Sequence, residues 1–255
     1  MANGFETDAN CVAAFLFEAG AFTDDSVGSA SLTADGTPPV INAVTYWEGA
    51  ASAFQEAAAF YETFYVTDEP SDFPLHDGSS ETTFSVVLAY YNPATVEGNF
   101  AILKKTSSFS VINNSFPTSE YYELTISVTD AGGTEDWETG ITLEEDAWHH
   151  IGITFNGSTG ECVIREYDNN TELVETASHT FSRIPLCNSS YFYVGDDGGH
   201  DTSYLDEVAF FKDVLTADEI DEIRAGTFGG GGGGGEEQTT GSGGDFHTVL
   251  MGCPI

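Results

Sequence analysis

Residues 148–157 read Trp148-His149-His150-Ile151-Gly152-Ile153-Thr154-Phe155-Asn156-Gly157. With the two-residue repeat of a β-strand, His149, Ile151, Ile153 and Phe155 share one face, and Trp148, His150, Gly152 and Thr154 share the other. Asn156-Gly157, followed by Gly160, supplies the turn that ends the strand. Adjacent strand residues point to opposite faces, so the two histidines cannot chelate one ion together.

Four further stretches on either side carry the same signal. FSVVLAYY (84–91), YYELTISV (121–128), ECVIREY (161–167) and YLDEVAFF (204–211) are β-branched or aromatic and mostly alternate in polarity. Turn-forming groups separate them: Asn92-Pro93, Asp130 to Gly133, Asp168 to Asn170, and Asp196 to Gly199. Many short strands with regular turns predict an all-β protein, a two-sheet antiparallel sandwich or jelly roll. One helix is expected late, in VLTADEIDEIRAG. Thr216 and Glu219 have the spacing of a capping box, Leu215 and Ile220 that of a hydrophobic staple, and Gly226 the place of a left-handed helix end.

Composition bounds the function. The chain has 255 residues, with 19 Phe and 11 Tyr to build a core, and six Lys plus Arg against 42 Asp plus Glu, a formal charge of −36. Such a surface repels nucleic acid and anionic lipid, because phosphate contacts need cations. No run of about 18 apolar residues is present to span a membrane. The opening, MANGFETDANC, has neither the basic nor the apolar region of a secretory signal, which leads to the expectation of cytoplasmic synthesis. Cys11, Cys162, Cys187 and Cys253 are widely scattered without a C-x-x-C pair, so free thiols are expected rather than a zinc site. After Phe228 the chain turns to seven glycines, Gly229 to Gly235, then polar residues, then the apolar FHTVLMGCPI. The expected organisation is an arm over 1–8, one domain over 9–228 and a glycine-rich tail over 229–255.

Several of these stretches resemble laminin-G-like, concanavalin-A-like jelly-roll domains. Asp206-Glu207-Val208-Ala209-Phe210-Phe211, followed by Val214-Leu215-Thr216-Ala217-Asp218-Glu219-Ile220 and Ala225-Gly226, resembles their closing strand and helix. Trp148 to Gly157 resembles an internal strand and turn of the same family, and Ala14 to Glu18 with Asp25-Ser26-Val27-Gly28 resembles the opening strand and loop. Tyr46 to Phe54 and Thr83 to Tyr90 are similar to two further family segments, so the resemblance runs in order over residues 11–228. The opening, with Asp8-Ala9-Asn10-Cys11-Val12-Ala13 after a short polar arm, also resembles stand-alone laminin-G-like proteins of bacteriophages and prophages.

The resemblance brings expectations with it. Hydrolases of the superfamily carry their carboxylate pair on one strand in an E-x-D-x(x)-E pattern, placing acid and nucleophile on one side. Here E-x-D begins at Glu6, Glu144, Glu166 and Glu219, and the residues four and five places on are never Glu, so no catalytic site is expected. The resemblance implies calcium ligands at Asp24, Asp25 and Asp206, with the Asp196-to-Asp201 loop nearby, because Ca²⁺ takes hard oxygens on turns. Sugar binding would need an exposed aromatic platform beside polar loops, for which Tyr90, Tyr91, Tyr121, Tyr122 and Trp137 are the aromatics considered, none of them assigned.

Two functions fit. One is a non-catalytic structural or decorating protein of a phage particle, a homo-oligomer located in the virion. It would assemble through its arm and tail, with Phe246, Val249, Leu250, Met251 and Ile255 docking on a neighbouring subunit. The other is a carbohydrate-binding or adhesion module, extracellular or at a cell surface.

Overall fold

In the computed structural model the described residues are 5, 8–17, 25–35, 40–42, 52–54, 63–92, 99–115, 122–195 and 204–228. They form fifteen strands and one helix in two antiparallel sheets. The strands are β1 (Cys11–Phe15), β2 (Ser31–Asp35), β3 (Val40–Asn42), β4 (Ser52–Phe54), β5 (Thr63–Thr67), β6 (Phe84–Asn92), β7 (Asn99–Lys105) and β8 (Phe109–Ser115). They continue as β9 (Tyr122–Asp130), β10 (Gly133–Leu143), β11 (Ala147–Asn156), β12 (Glu161–Asp168), β13 (Val174–Thr180), β14 (Phe192–Val194) and β15 (Tyr204–Phe211). Helix α1 spans Ala217–Arg224.

One sheet runs β13-β12-β11-β6-β15-β4-β3, with β1 also paired to β15; the other runs β10-β9-β8-β7-β14-β5-β2. All five stretches with strand periodicity are strands here over their described residues. The alternation in β11 decides which side of the first sheet is inside: Ile151, Ile153 and Phe155 enter the core between the sheets. Phe84, Val86 and Leu88 of β6 join them and meet Phe109, Val111, Ile126 and Val128 of the second sheet. Phe84 and Phe109 cross the gap edge to face at 5.0 Å, the arrangement that ring quadrupoles favour. This is the two-sheet sandwich that the periodicity predicts.

The outer face of the first sheet has a separate core beneath α1. Phe5, Cys11, Ala14, Val87, Ala209, Phe211, Leu215, Ile220, Ile223 and Phe228 pack there. The helix begins where expected: the Glu219 N–H donates to Thr216 Oγ1 at 3.2 Å, and the Glu219 carboxylate accepts from the Thr216 N–H at 2.7 Å. Leu215 and Ile220 are both buried, and Gly226 takes φ 66° just past the helix. Gly152 makes the approach possible, since a Cβ at that position would stand 2.6 Å from Ile220 Cγ2. Arg165 of β12 clamps the helix from the side, its Nε and Nη2 donating to the Asp221 carboxylate at 2.9 and 2.6 Å. Phe5, assigned to the arm by sequence, is buried against Phe211 at 6.4 Å between centroids. Among the described residues no helix is long and apolar enough to cross a membrane.

Candidate functional site

The outer face of the second sheet carries no helix among the described residues. The core side of its strands is filled by Phe64 and Val66, Phe192 and Val194, Phe109 and Val111, and Ile126 and Val128. Strand alternation therefore turns the intervening residues to the solvent side. Their register lines them up directly across the sheet. Asp136 is opposite Ser127, Ser127 opposite Ser110, Ser110 opposite Lys104, Lys104 opposite Tyr193, Tyr193 opposite Tyr65, and Tyr65 opposite Thr33. At the usual strand spacing of 4.7–4.9 Å this row is about 28 Å long.

The aromatic end of the row is its most distinctive part. Tyr65 lies 4.4 Å from Tyr191 and 6.1 Å from Tyr193 between ring centroids, and Tyr191 is 49% exposed. The tyrosines flank a cleft of about 360 Å³ lined by Val66 to Glu69, His76, Asp77 and Asn188 to Tyr191. Two loops build it. His76 and Asn188 form a parallel bridge, the Asn188 N–H donates to the Leu75 carbonyl at 3.1 Å, and Asn188 Nδ2 donates to the Thr106 carbonyl at 3.0 Å. One asparagine thus ties three chain segments together and fixes the platform beside the cleft. A shallower hollow of about 210 Å³ continues along the row over Lys104, Ser110, Ser127, Thr129 and Thr134.

Beneath the cleft lies an ion pair. Lys105 Nζ sits 3.3 Å from Glu69 Oε2 with its side chain fully buried. Burial pushes the Glu69 carboxyl up and the Lys105 amine down, and their mutual attraction opposes both shifts. A pair so enclosed braces the loop that carries Asp68, Glu69 and Asp77.

The residues singled out from sequence fall elsewhere. Asp25 organises its own loop: Oδ1 accepts from the Ala14 and Val27 N–H groups at 2.9 and 2.8 Å, and Oδ2 from Ala30 at 3.2 Å. Asp206 is fully buried on β15 and accepts from the Glu207 N–H at 3.0 Å, in a bulge where Glu207 takes φ 49°. Asp24 and the 196–201 loop lie outside the described residues, as do Phe246, Val249, Leu250, Met251, Ile255 and Cys253. Among the described residues no group of three His, Cys, Asp or Glu side chains is gathered to hold a metal ion. Among the described residues Cys162 and Cys187 are free thiols.

His149 and His150 do point apart. His149 is buried between the sheets, with Nδ1 2.7 Å from Glu166 Oε1 and Nε2 3.0 Å from the Glu144 carbonyl. A carbonyl only accepts, so Nε2 carries a proton and the Nδ1–Oε1 contact shares another. His150 lies on the opposite face, where burial, and then Arg224, hold its pKa down to about 3. Of the aromatics considered for sugar binding, Tyr90 is buried, Tyr91 packs edge-on against Trp148 and Tyr204, and Trp137 stacks on His179 at 5.4 Å. Tyr121, and the side chain of Tyr122, lie outside the described residues. The aromatic cluster on the outer face consists instead of Tyr65, Tyr191 and Tyr193, which the strand reading passed over. A signal was present: Phe-Tyr-Val occurs at both 64–66 and 192–194, and a tyrosine between two apolar residues of a strand faces out.

Comparison with known proteins places this architecture. A laminin-G family model, described as the concanavalin A-like lectin/glucanases superfamily, matches residues 67–221. The comparison with curated proteins found no match. Among solved structures the chain is similar to domain 4 of AbnA, a GH43 extracellular arabinanase from Geobacillus stearothermophilus, in complex with arabinotriose. That match has 13% identity and a TM-score of 0.59, and covers 84% of this chain and 98% of that one. It is also similar to tailspike protein 2 from Escherichia coli O157:H7 bacteriophage CAB120, at 10% identity and TM-score 0.55, covering 76% of this chain but 27% of the tailspike. The CBM2 module of the evolved Dit of Lactobacillus casei BL23 phage J-1 matches at 11% identity and TM-score 0.50, covering 81% of this chain and 97% of that one. At such identities the structural likeness speaks for the fold alone, and it agrees with the family match over more than half the sequence: the chain belongs to the concanavalin A-like lectin/glucanase superfamily.

Proposed function

We propose that this domain is a non-catalytic module that binds glycans across the solvent face of its seven-stranded sheet. The cluster of Tyr193, Tyr65 and Tyr191 beside a cleft of polar loops carries the reading. A sugar offers a flat C–H face to an aromatic ring and hydroxyls at its edge. Tyrosine supplies an amphipathic surface, while Asn188, Ser189, Ser190 and Asp77 supply hydrogen-bond partners. Asp68, Glu69 and Asp77 at the cleft favour neutral sugars over anionic ones, since a carboxylate or sulfate would be repelled. The missing E-x-D-x(x)-E spacing argues against hydrolysis, and the arabinotriose-bound arabinanase domain supports sugar binding on this fold.

The test is a glycan array followed by calorimetry on the wild type and on Tyr191→Ala. The expected result is binding of a neutral oligosaccharide that Tyr191→Ala weakens at least tenfold, about 1.4 kcal/mol, with the unfolding midpoint unchanged. An array without a neutral-glycan hit, or a Tyr191→Ala protein that binds like the wild type, overturns the reading.

A second reading is favoured by the phage neighbours, the tailspike and the Dit module. On it, the domain is a structural or decorating part of a phage particle, assembling with neighbouring subunits through its arm and tail. Mass spectrometry of purified particles tests it directly, with the protein expected at stoichiometric copy number. The two readings are compatible, because a particle-borne domain with an open sugar-binding face would serve attachment.

A further inference from the structure

The tyrosine cluster and the second hollow stand on one path. From Tyr65 through Tyr193, Lys104 and Ser110 to Ser127 the register crosses five adjacent strands, β5, β14, β7, β8 and β9. Four strand-to-strand steps of 4.7–4.9 Å make this span about 19 Å. Its two ends differ in chemistry. The cleft of about 360 Å³ lies at the tyrosines, and the hollow of about 210 Å³ at the other end has Ser107, Ser110, Ser127, Thr129 and Thr134 in its lining. Ser127 faces outward where no described helix lies, yet it is only 9% exposed, so it forms the floor of a depression. One chain segment walls the path. Residues 182–191 run across the strand ends of this sheet and are pinned in turn. The Ser182 N–H and hydroxyl donate to Glu135 of β10 at 3.0 and 2.6 Å, and Arg183 pairs with Asp130 of β9. The Ser108 hydroxyl, just before β8, donates to the Leu186 carbonyl at 2.7 Å, and Asn188 Nδ2 donates to the Thr106 carbonyl just after β7. The segment ends at Tyr191, against Tyr65 of β5. Its course therefore follows the row.

Resting on the glycan reading, we propose that this face takes an extended oligosaccharide chain laid across the strands. Its first subsite is the stacking surface of Tyr65, Tyr191 and Tyr193, and its second is the hydroxyl floor at Ser110 and Ser127. A ring advances an extended chain by roughly one strand step, so about 19 Å of floor holds about four rings. A single sugar or a disaccharide would fill the tyrosine end alone. At that end the C–H face of a ring meets a phenol. At the far end serine and threonine hydroxyls, which both donate and accept, suit the hydroxyls at the edge of a ring. Contacts made at the second subsite by a chain already held at the first add affinity without a second loss of translational freedom.

The test is a glycan array carrying linear neutral oligosaccharides of arabinose, xylose, glucose, mannose and galactose, each at lengths of two to six units, with calorimetry on the series that binds. Affinity is expected to rise at least tenfold from two units to five and to level off there. Equal affinity at every length overturns the proposal and leaves the glycan reading standing, whereas an array without any hit overturns both. Chemical-shift mapping on the ¹⁵N-labelled wild type gives an independent measurement. A disaccharide is expected to move the amides of Tyr65, Asn188, Tyr191 and Tyr193, and a pentasaccharide of the same sugar to move those of Ser110, Ser127 and Thr129 as well. Shifts that stay at the tyrosine end with the longer chain overturn the proposal. Ser110→Tyr, which fills the second hollow, is expected to weaken pentasaccharide binding about tenfold. Undiminished pentasaccharide affinity in that variant counts against the proposal in the same way.

Discussion

On the outer face of the eight-stranded sheet, Cys11, Ala14, Val87, Gly152, Ala209 and Phe211 form a patch of small or apolar residues, and a helix packs over this patch. On the outer face of the seven-stranded sheet the alternate residues are Ser110, Ser127, Lys104, Tyr65 and Tyr193, and the strands meet solvent. Both faces belong to similar antiparallel sheets sharing one core. The difference teaches that a sandwich's functional side is set by the residues pointing away from the core. Small apolar ones invite a covering element, whereas hydroxyls and phenols leave room for a ligand whose hydrogen bonds replace those of water.

If the covered face is held by packing, Ile220→Ala should have the largest effect. It removes a nearly fully buried side chain seated over Gly152, and a loss of about 2–5 kcal/mol is expected in denaturant unfolding. Sugar binding by the remaining folded protein should be unchanged, and a parallel loss of affinity would show that the two faces are coupled. Thr216→Ala probes the same helix through its cap instead of its packing. About 1 kcal/mol should be lost, within a usual range of about 0.5–2. A midpoint equal to that of the wild type would mean that packing alone holds α1 in place.

The response to pH tests the same division, and its sign differs from group to group. Hydrogen bonding to Arg165 holds the Asp221 carboxyl below its ordinary 3.8, so its contribution is complete above that value and is lost as pH falls through the lower folded value. Burial pushes Glu166 above its ordinary 4.5, so its ionisation weighs against the fold at neutral pH, and that penalty is relieved as pH falls towards 4.5. His150 acts against the relief at Glu166: burial holds its folded pKa at about 3, below the ordinary 6.5, so stability is lost as pH falls from 6.5 towards 3, and the melting temperature should fall on acidification from neutrality. A melting temperature that stays flat or rises between pH 6.5 and 4 would contradict the assignment for His150.

What could be read in advance follows the same division. Strands β6, β9, β11, β12 and β15 have aromatic or β-branched residues on their core face, and the capping box of α1 is local chemistry, so both were legible. Strand β10, Gly-Thr-Glu-Asp-Trp-Glu-Thr-Gly-Ile-Thr-Leu, and strand β13, Val-Glu-Thr-Ala-Ser-His-Thr, were not. They are edge strands with exposed polar residues, and what makes them strands is their pairing to β9 and β12, a tertiary fact. The tyrosine cluster was missed for a related reason. Tyr65 and Tyr191 are far apart in sequence, and only the β5–β14 pairing with the loop tied by Asn188 brings their rings together. Asp25 shows the reverse: it stands out in sequence as an acidic turn residue, but that its carboxylate accepts from the Val27 N–H in its own loop and the Ala14 N–H in β1 is seen only in the structure.

The pairing of β1 with β15 bears on how such a molecule reaches its native state. Cys11 is registered with Phe211, the Lys212 N–H donates to the Asn10 carbonyl at 2.9 Å, and Asn10 Nδ2 donates to Asp213 at 2.8 Å. The first strand therefore has no partner until the last has been synthesised, and β6 must wait equally for β11 and β15. Closing such long loops loses chain entropy before any contact compensates for it, which puts sandwiches among the slower-folding topologies, on the order of milliseconds to seconds. During translation the N-terminal half would expose Phe15, Phe64 and Phe84 without a covering sheet. With a formal charge of −36, incompletely folded chains repel one another, which opposes their aggregation.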